Sequence, residues 1–196
     1  MGAATRERII EAGSALFRRQ GYAGTGMKQI AAAAEAPFGS IYHFFPGGKD
    51  ELSAEIIRAA GRAYGELVPM FFDAEPDVVA ATRNAFNGAA ETLRASDYAD
   101  ACPIATVALE VASTNETLRL ATAEIFAEWI AALAARLARA GLDVETARTL
   151  AAAMIAMLEG AFILARAQRD PGRVERAGEV MAGAVAAALA QARRPA

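Results

Sequence analysis

One cysteine, one histidine and one tryptophan occur in 196 residues, and only 7% of the chain is aromatic. A lone cysteine cannot close an internal disulfide. Cys102 therefore suits a reducing compartment, as a small buried hydrophobe or as a redox-sensing thiol. A lone histidine excludes a histidine-based metal centre and the Glu-x-x-His pairs of di-iron bundles, so no metal ligands are expected. There is no phosphate-cradling glycine loop and no nucleophile elbow, and a serine–histidine device would have to use His43. We read the chain as having no catalytic residues and no cofactor. Its most apolar stretch, 150–165, is interrupted by Glu159 and falls short of the ~20 residues a bilayer requires. The start is charged within its first turn and lacks the apolar run of a secretory signal. A soluble, cytoplasmic protein is expected.

What is present is helix-forming. The composition is 55% hydrophobic and about one quarter alanine, with proline and glycine gathered at a few boundaries, which favours an all-α fold. Eighteen arginines against two lysines match a GC-rich bacterial genome. The net charge of −3 argues against nucleic acid, but its distribution does not: residues 1–50 carry +2 and the remainder −5. A mildly basic head on an acidic body fits contact with DNA at one end.

The chain is organised around 25–49, TGMKQIAAAAEAPFGSIYHFFPGGK. Thr25 is placed to cap a short helix over 27–34, Glu35-Ala36 makes a turn, and Pro37 suits the first position of a second helix reaching Phe45. At 1.5 Å per residue that second helix spans ~12–14 Å, the size of an element that enters a major groove. Ile41 and Phe45, four apart, should point inward, leaving Phe38, Gly39, Ser40, Tyr42 and His43 on the exposed side. This is a helix-turn-helix with its recognition helix second. Tyr42 and His43 offer donors to phosphates or base edges, with Tyr42 alternatively a packing residue of the small lobe. Gly39 and Ser40 permit close backbone approach, and Lys28 should reach a phosphate. Lys49, with the free N–H groups opening the following helix, suits another.

A first helix over 5–20 precedes this stretch, ended by Gly21, with Arg6 and Arg8 either on a solvated face or near a flanking phosphate. Beyond Pro46-Gly47-Gly48 a long helix over 49–72 should kink or end near Pro69. Further helices are expected over 78–95 after Pro76-Asp77, over 103–112 from Cys102-Pro103, over 116–140 stopped by Gly141, up to about 169 from an Asp143 cap, and over 174–192. The Arg-Arg-Pro-Ala end is expected to fray.

The order of a first amphipathic helix, T-x-x-x-x-I-A, G-S-I-Y-H-F-F and K-D-E-L resembles the TetR family of repressors. More narrowly, APFGSIYHFFPGGKDEL resembles the LmrA/YxaF-like branch, which also tends to show a Cys-Pro pair like Cys102-Pro103. The resemblance is specific over roughly 5–60 and architectural beyond. It implies an N-terminal three-helix DNA-binding domain (1–48) and a C-terminal helical ligand-binding and dimerisation domain (49–196), in a homodimeric repressor released from its operator by a small ligand. Two positions depart from the family. Phe44 fills a slot where many members have a phosphate-binding histidine, and Phe38 stands where the branch often carries a basic or polar residue.

In the body, Phe86, Val107, Phe126, Trp129, Met154, Met157 and Phe162, with Leu93 and Leu109, could line one apolar cavity or be ordinary core. Glu110 among them could orient a polar group of a hydrophobic or aromatic effector. Leu150, Met154, Met157, Ala161 and Ala165, with Ala177, Met181, Ala184 and Ala188, could form a four-helix dimer interface or be buried within one subunit. Two functions are compatible with this sequence: a ligand-responsive transcriptional repressor on a palindromic operator, or a helical small-molecule-binding or scaffold protein with a vestigial DNA-binding motif.

Overall fold

The computed structural model describes residues 2–193, so the Arg-Pro-Ala end lies outside the described residues. Ten helices and no strand occur among them: α1 (Gly2–Gln20), α2 (Met27–Ala33), α3 (Phe38–Phe44), α4 (Lys49–Gly65), α5 (Leu67–Phe72), α6 (Val78–Ala95), α7 (Pro103–Val111), α8 (Glu116–Arg139), α9 (Val144–Gln168) and α10 (Gly172–Ala192). The fold is all-α, as expected. Helix starts follow their side chains. The Asp77 carboxylate accepts from Val79 N–H at 2.9 Å, and that of Asp143 from Glu145 and Thr146 N–H at 3.1 and 3.0 Å. Asp143 is held below the usual carboxylate range by those bonds, Thr146 first. Cys102 caps α7 with its Sγ 3.5 Å from Ala105 N, and Pro103 follows at the first helical position.

The largest difference from the sequence expectation is at Pro69. The helix expected over 49–72 is broken at Glu66 into α4 and α5. Pro69 has no N–H for the Gly65 carbonyl and its ring crowds that carbonyl, so the break comes before the proline and places it in the first turn of α5. The Met70 N–H to Glu66 O bond at 3.2 Å starts the new helix.

The described chain forms two compact units. The first takes residues up to Ala63 together with Ala101–Phe126, and the second takes Tyr64–Asp100 and Ala127 onward. In the first, Ile9, Phe17, Ile30, Ile41, Phe45, Leu52 and Ile56 are buried, with α1, α2 and α3 packed on one another and Ile56 of α4 against Gly13 of α1. The second is built on α10 packed against α6 and α9. Val174, Met181, Val185 and Leu189 make the inner stripe of α10. Gly178 lets the helices approach closely, since a Cβ there would lie 2.6 Å from Phe86 Cβ.

Candidate nucleic-acid interface

The site begins with the turn between α2 and α3. Ala36 N–H bonds to Ala31 O at 3.0 Å and Glu35 N–H to Ala32 O at 3.1 Å, the two bonds of a Schellman ending, with Glu35 in the left-handed conformation at φ 49°. Pro37 is the N-cap of α3 and not its first helical residue, so the helix starts one residue later than expected, because the Pro37 ψ of 136° is extended. Ile41 and Phe45 are buried as expected and anchor α3 against α1 and α2. Phe38, Gly39, Tyr42 and His43 are exposed, Ser40 is half-buried, and Lys28 is exposed on α2. The rings of Phe38 and Tyr42 meet edge to face at 5.6 Å, and those of His43 and Phe44 at 5.0 Å. A Cβ at Gly39 would have open space around it, so this side of α3 can be approached closely.

The turn between α1 and α2 is fastened by polar groups. Glu110 Oε2, from α7, accepts the Ala23 N–H at 2.6 Å. The Lys49 ammonium donates to Tyr22 O at 2.8 Å and lies 3.9 Å from the centre of the Tyr22 ring. The Tyr22 hydroxyl donates to Asp50 Oδ1 at 2.8 Å. Burial first, then the Asp50 carboxylate, pushes the Tyr22 pKa up to about 12. Burial lowers that of Lys49, against the pull of Asp50 and Glu110. Gly21 takes the left-handed φ of 70° that ends α1, and a Cβ there would collide with the Glu110 carboxylate.

Several expected contacts have other partners. Thr25 is not the cap of α2: Gly26 is the N-cap, its N–H donating to Gln29 Oε1 at 2.7 Å. Thr25 is buried and its hydroxyl donates to Gly21 O at 2.6 Å, so it fastens the turn from inside. Arg6 pairs with Glu55 at 2.7 Å and lies over the Phe45 ring, and Arg8 donates to Ala34 O at 3.2 Å. Both arginines knit the first unit together. The Lys49 ammonium likewise has its first partner within the protein.

A model of bacterial regulatory proteins of the tetR family matches residues 9–61, and one of the LmrA/YxaF-like transcriptional regulator C-terminal domain matches 78–180. The chain belongs to the TetR family. It is a transcriptional regulator of the LmrA/YxaF-like branch with a DNA-binding helix-turn-helix, and not an enzyme. It is 33% identical to the HTH-type transcriptional regulator YxaF of Bacillus subtilis over 85% of this chain and 87% of that protein. It is 26% identical to the HTH-type transcriptional repressor DhaR of a Mycobacterium species, over 64% of this chain and 61% of that one. A TetR regulator structure from Chloroflexus aurantiacus superimposes with a TM-score of 0.78 at 29% identity, covering 94% of this chain and 96% of the other.

The residues expected to receive a ligand in this TetR-family regulator divide between the units. Val107, Glu110 and Phe126 belong to the first; Phe86, Trp129, Met154, Met157 and Phe162 belong to the second. Val107 is fully buried and Phe126 half-buried. Glu110, expected to orient a ligand group, has its carboxylate on the Ala23 N–H instead, and Leu109 is 76% exposed. Phe86 and Met154 are buried in the second unit's core, with Met157 and Phe162 packed on it. Trp129 is buried, with its ring 6.4 Å from that of Tyr64. An open cleft of about 310 Å³ is lined by Asp143, Glu145, Thr146, Thr149, Leu150 and Ala188, none of them among those expected residues.

Two corrections concern α9 and α10. Met154, Ala161, Ala165 and Met181 are buried within the subunit and are not available to a second copy. The large apolar side chains left outside are Val144 at the start of α9, and Ile163, Leu164 and Val180, each more than half exposed. Moreover α9 is 25 residues long with a mean hydropathy of 1.7 over its most apolar window, so one helix does reach membrane-spanning length and apolarity, against the sequence expectation. Glu159 did not shorten it because a single carboxylate does not interrupt a helix.

Proposed function

We propose that this TetR-family regulator is a cytoplasmic homodimeric repressor that binds a palindromic operator and is released by a small hydrophobic or aromatic effector. The observation that carries the reading is the α3 face: a short helix anchored by Ile41 and Phe45 presents Phe38, Gly39, Ser40, Tyr42 and His43 outward, with Lys28 on α2 beside it. Residues 1–48 are the reader and 49–196 the ligand-binding and dimerisation part. Tyr42, His43 and Lys28 hold phosphates, α3 enters the major groove, and Thr25 and Lys49 support the reader from behind, Lys49 also adding its charge to the phosphate field. The repressor name of DhaR supports the direction of regulation.

Dimerisation is proposed through the outer face of α9 and α10. Only 22% of the apolar window of α9 is buried within one copy, and Gly160, Ile163, Leu164 and Ala167 with Val180, Gly183 and Ala187 follow helical spacing on the two helices. A second copy covers that surface without requiring a membrane. A two-fold dimer brings two recognition helices to successive major grooves ~34 Å apart. The effector is proposed to settle among Phe86, Trp129, Met154, Met157 and Phe162, where two methionines can repack around a guest. Its effect reaches the reader through the two helices that grip the α1–α2 turn, α7 by Glu110 and α4 by Lys49. A full switch requires ~10⁴-fold stronger binding of the effector to the released state.

The test is fluorescence anisotropy of the purified protein on labelled duplex from immediately upstream of its own gene, at two salt concentrations, with unrelated duplex as competitor. Tight, competitor-resistant binding that falls steeply with salt is expected. A folded dimer that binds neither duplex would sink the reading.

A further inference from the structure

The seven residues of α3, Phe38-Gly39-Ser40-Ile41-Tyr42-His43-Phe44, contain no Arg, Lys, Asn, Gln, Asp or Glu. Those are the side chains that make bidentate or charged hydrogen bonds to base edges in the major groove. The donors that α3 does offer are single hydroxyls and one imidazole, suited to phosphates at least as well as to bases. What α3 presents in quantity is apolar: Phe38 is 41% and Tyr42 50% exposed. Water makes such exposure unfavourable, so the ring at the start of α3 stands ready for an apolar partner.

Phe38 is also held in place. It lies one helical turn from Tyr42, and the two rings meet at 5.6 Å with an interplanar angle of 82°, an edge-to-face contact that restrains both side chains. Gly39 beside it leaves the backbone unshielded, which lets the ring approach the groove floor. An unmodified major groove has one apolar group at its floor, the thymine C5-methyl.

We propose that Phe38, braced by Tyr42, is the specificity-determining residue of this regulator and that it reads a thymine methyl in each operator half-site. The inference rests on the proposed DNA-reading role of α3. It predicts a reader whose base discrimination comes from methyl contact, while its hydrogen-bonding side chains serve the backbone.

The experiment selects binding sites from a random-core duplex pool with wild-type protein. The recovered sequence is then resynthesised with deoxyuridine replacing thymine, one position per half-site at a time. Uracil keeps both the pairing edge and the O4 acceptor and lacks only the methyl. Wild type should lose about fourfold in affinity per half-site at one thymine position, the scale of burying a single methyl group. Phe38→Ala should bind the thymine and uracil duplexes equally at that position while keeping the wild-type salt slope, because its phosphate contacts are intact. Phe38→Leu, still apolar, should restore part of the discrimination. If Phe38→Ala discriminates as wild type does, or if wild type itself is indifferent to every methyl, the inference fails and the reader stands. If selection enriches no sequence at all, the DNA-reading role of α3 fails and the inference falls with it.

Discussion

Residues 21–25 and the outer face of α9 lie at opposite extremes of how surface is managed in this chain. The short turn has its backbone held by side chains of three different helices: Gln20 on Gly24 O, Lys49 on Tyr22 O and Glu110 on Ala23 N–H. The long helix buries one side and leaves Gly160, Ile163, Leu164 and Ala167 exposed on the other. A turn held by long side chains from α4 and α7 can be shifted when either helix moves, because each contact is a single bond at the end of a flexible arm. An apolar face with no covering in its own subunit can be satisfied only from outside. The first arrangement is suited to transmitting a displacement and the second to holding two copies together.

The largest effect expected from breaking this contrast is at α9 and α10. Leu164→Glu together with Val180→Glu would place four carboxylates in the proposed two-fold contact, each desolvated without a partner. The dimer dissociation constant should rise by more than ~100-fold, with helicity unchanged because both sites are exposed in the monomer. Light scattering after size exclusion checks the mass and circular dichroism checks the fold. A double variant that stays dimeric would move the interface elsewhere. Next in size is Glu110→Ala, which removes a charge-assisted bond to a backbone N–H, worth roughly 1.5–3 kcal/mol before allowance for partial exposure. Hydrogen exchange should show the Ala23 amide losing protection while the amides of α10 keep theirs. Unchanged exchange at Ala23 would mean that Glu110 does not secure the turn.

Much of the reader and of the helix starts in the body was legible from sequence because these signals are local. Ile41 and Phe45 declare the inner face of α3 by spacing, Glu35-Ala36 interrupts an alanine run, and Asp77 and Asp143 stand where helix N–H groups need acceptors. The Glu110–Ala23 bond spans 87 positions, and nothing local distinguishes that carboxylate from one aimed at a ligand. Lys49 was likewise legible as a cation and not as a partner of Tyr22. The dimer face was blurred for another reason. In helices so rich in alanine, opposite faces have nearly the same polarity, so Met154, Ala161, Ala165 and Met181 could not be sorted from Ile163, Leu164 and Val180 by periodicity. At Pro69 the proline was visible, but the position of the break depended on the carbonyl four residues earlier.

A smaller effect sharpens the account of the turn through pH. Because burial first, and then the Asp50 carboxylate, raise the Tyr22 pKa from 10 in the unfolded chain to about 12 in the folded one, the neutral phenol contributes in full below pH 10. That contribution is lost as pH rises from 10 towards 12, where the unfolded state releases the proton first. Lys49 has the opposite sign: its lowered pKa favours folding increasingly as pH rises towards 10.5. Tyr22→Phe should therefore be less stable than wild type at neutral pH by about 1 kcal/mol, the worth of a partly exposed hydrogen bond. The gap in melting temperature should narrow between pH 10 and 12. A constant gap across that window would mean that neither burial nor Asp50 holds the phenol neutral.

The smallest effect concerns an exception within the well-satisfied first unit. Ser53 on α4 is fully buried, and its Oγ has no hydrogen-bond partner among the described residues. A buried hydroxyl without a partner has lost water without replacing it, at a cost of about 1 kcal/mol or more, whereas alanine fits the same helix with better propensity. Ser53→Ala should raise the melting temperature by roughly 2–4 °C and leave the Ala23 and Tyr22 contacts untouched. Paired with Glu110→Ala, the two changes should add, since Ser53 takes no part in the bonds that hold the turn. Strong non-additivity would place Ser53 on the path by which α4 communicates with the reader, and its hydroxyl would then be retained for movement and not for stability.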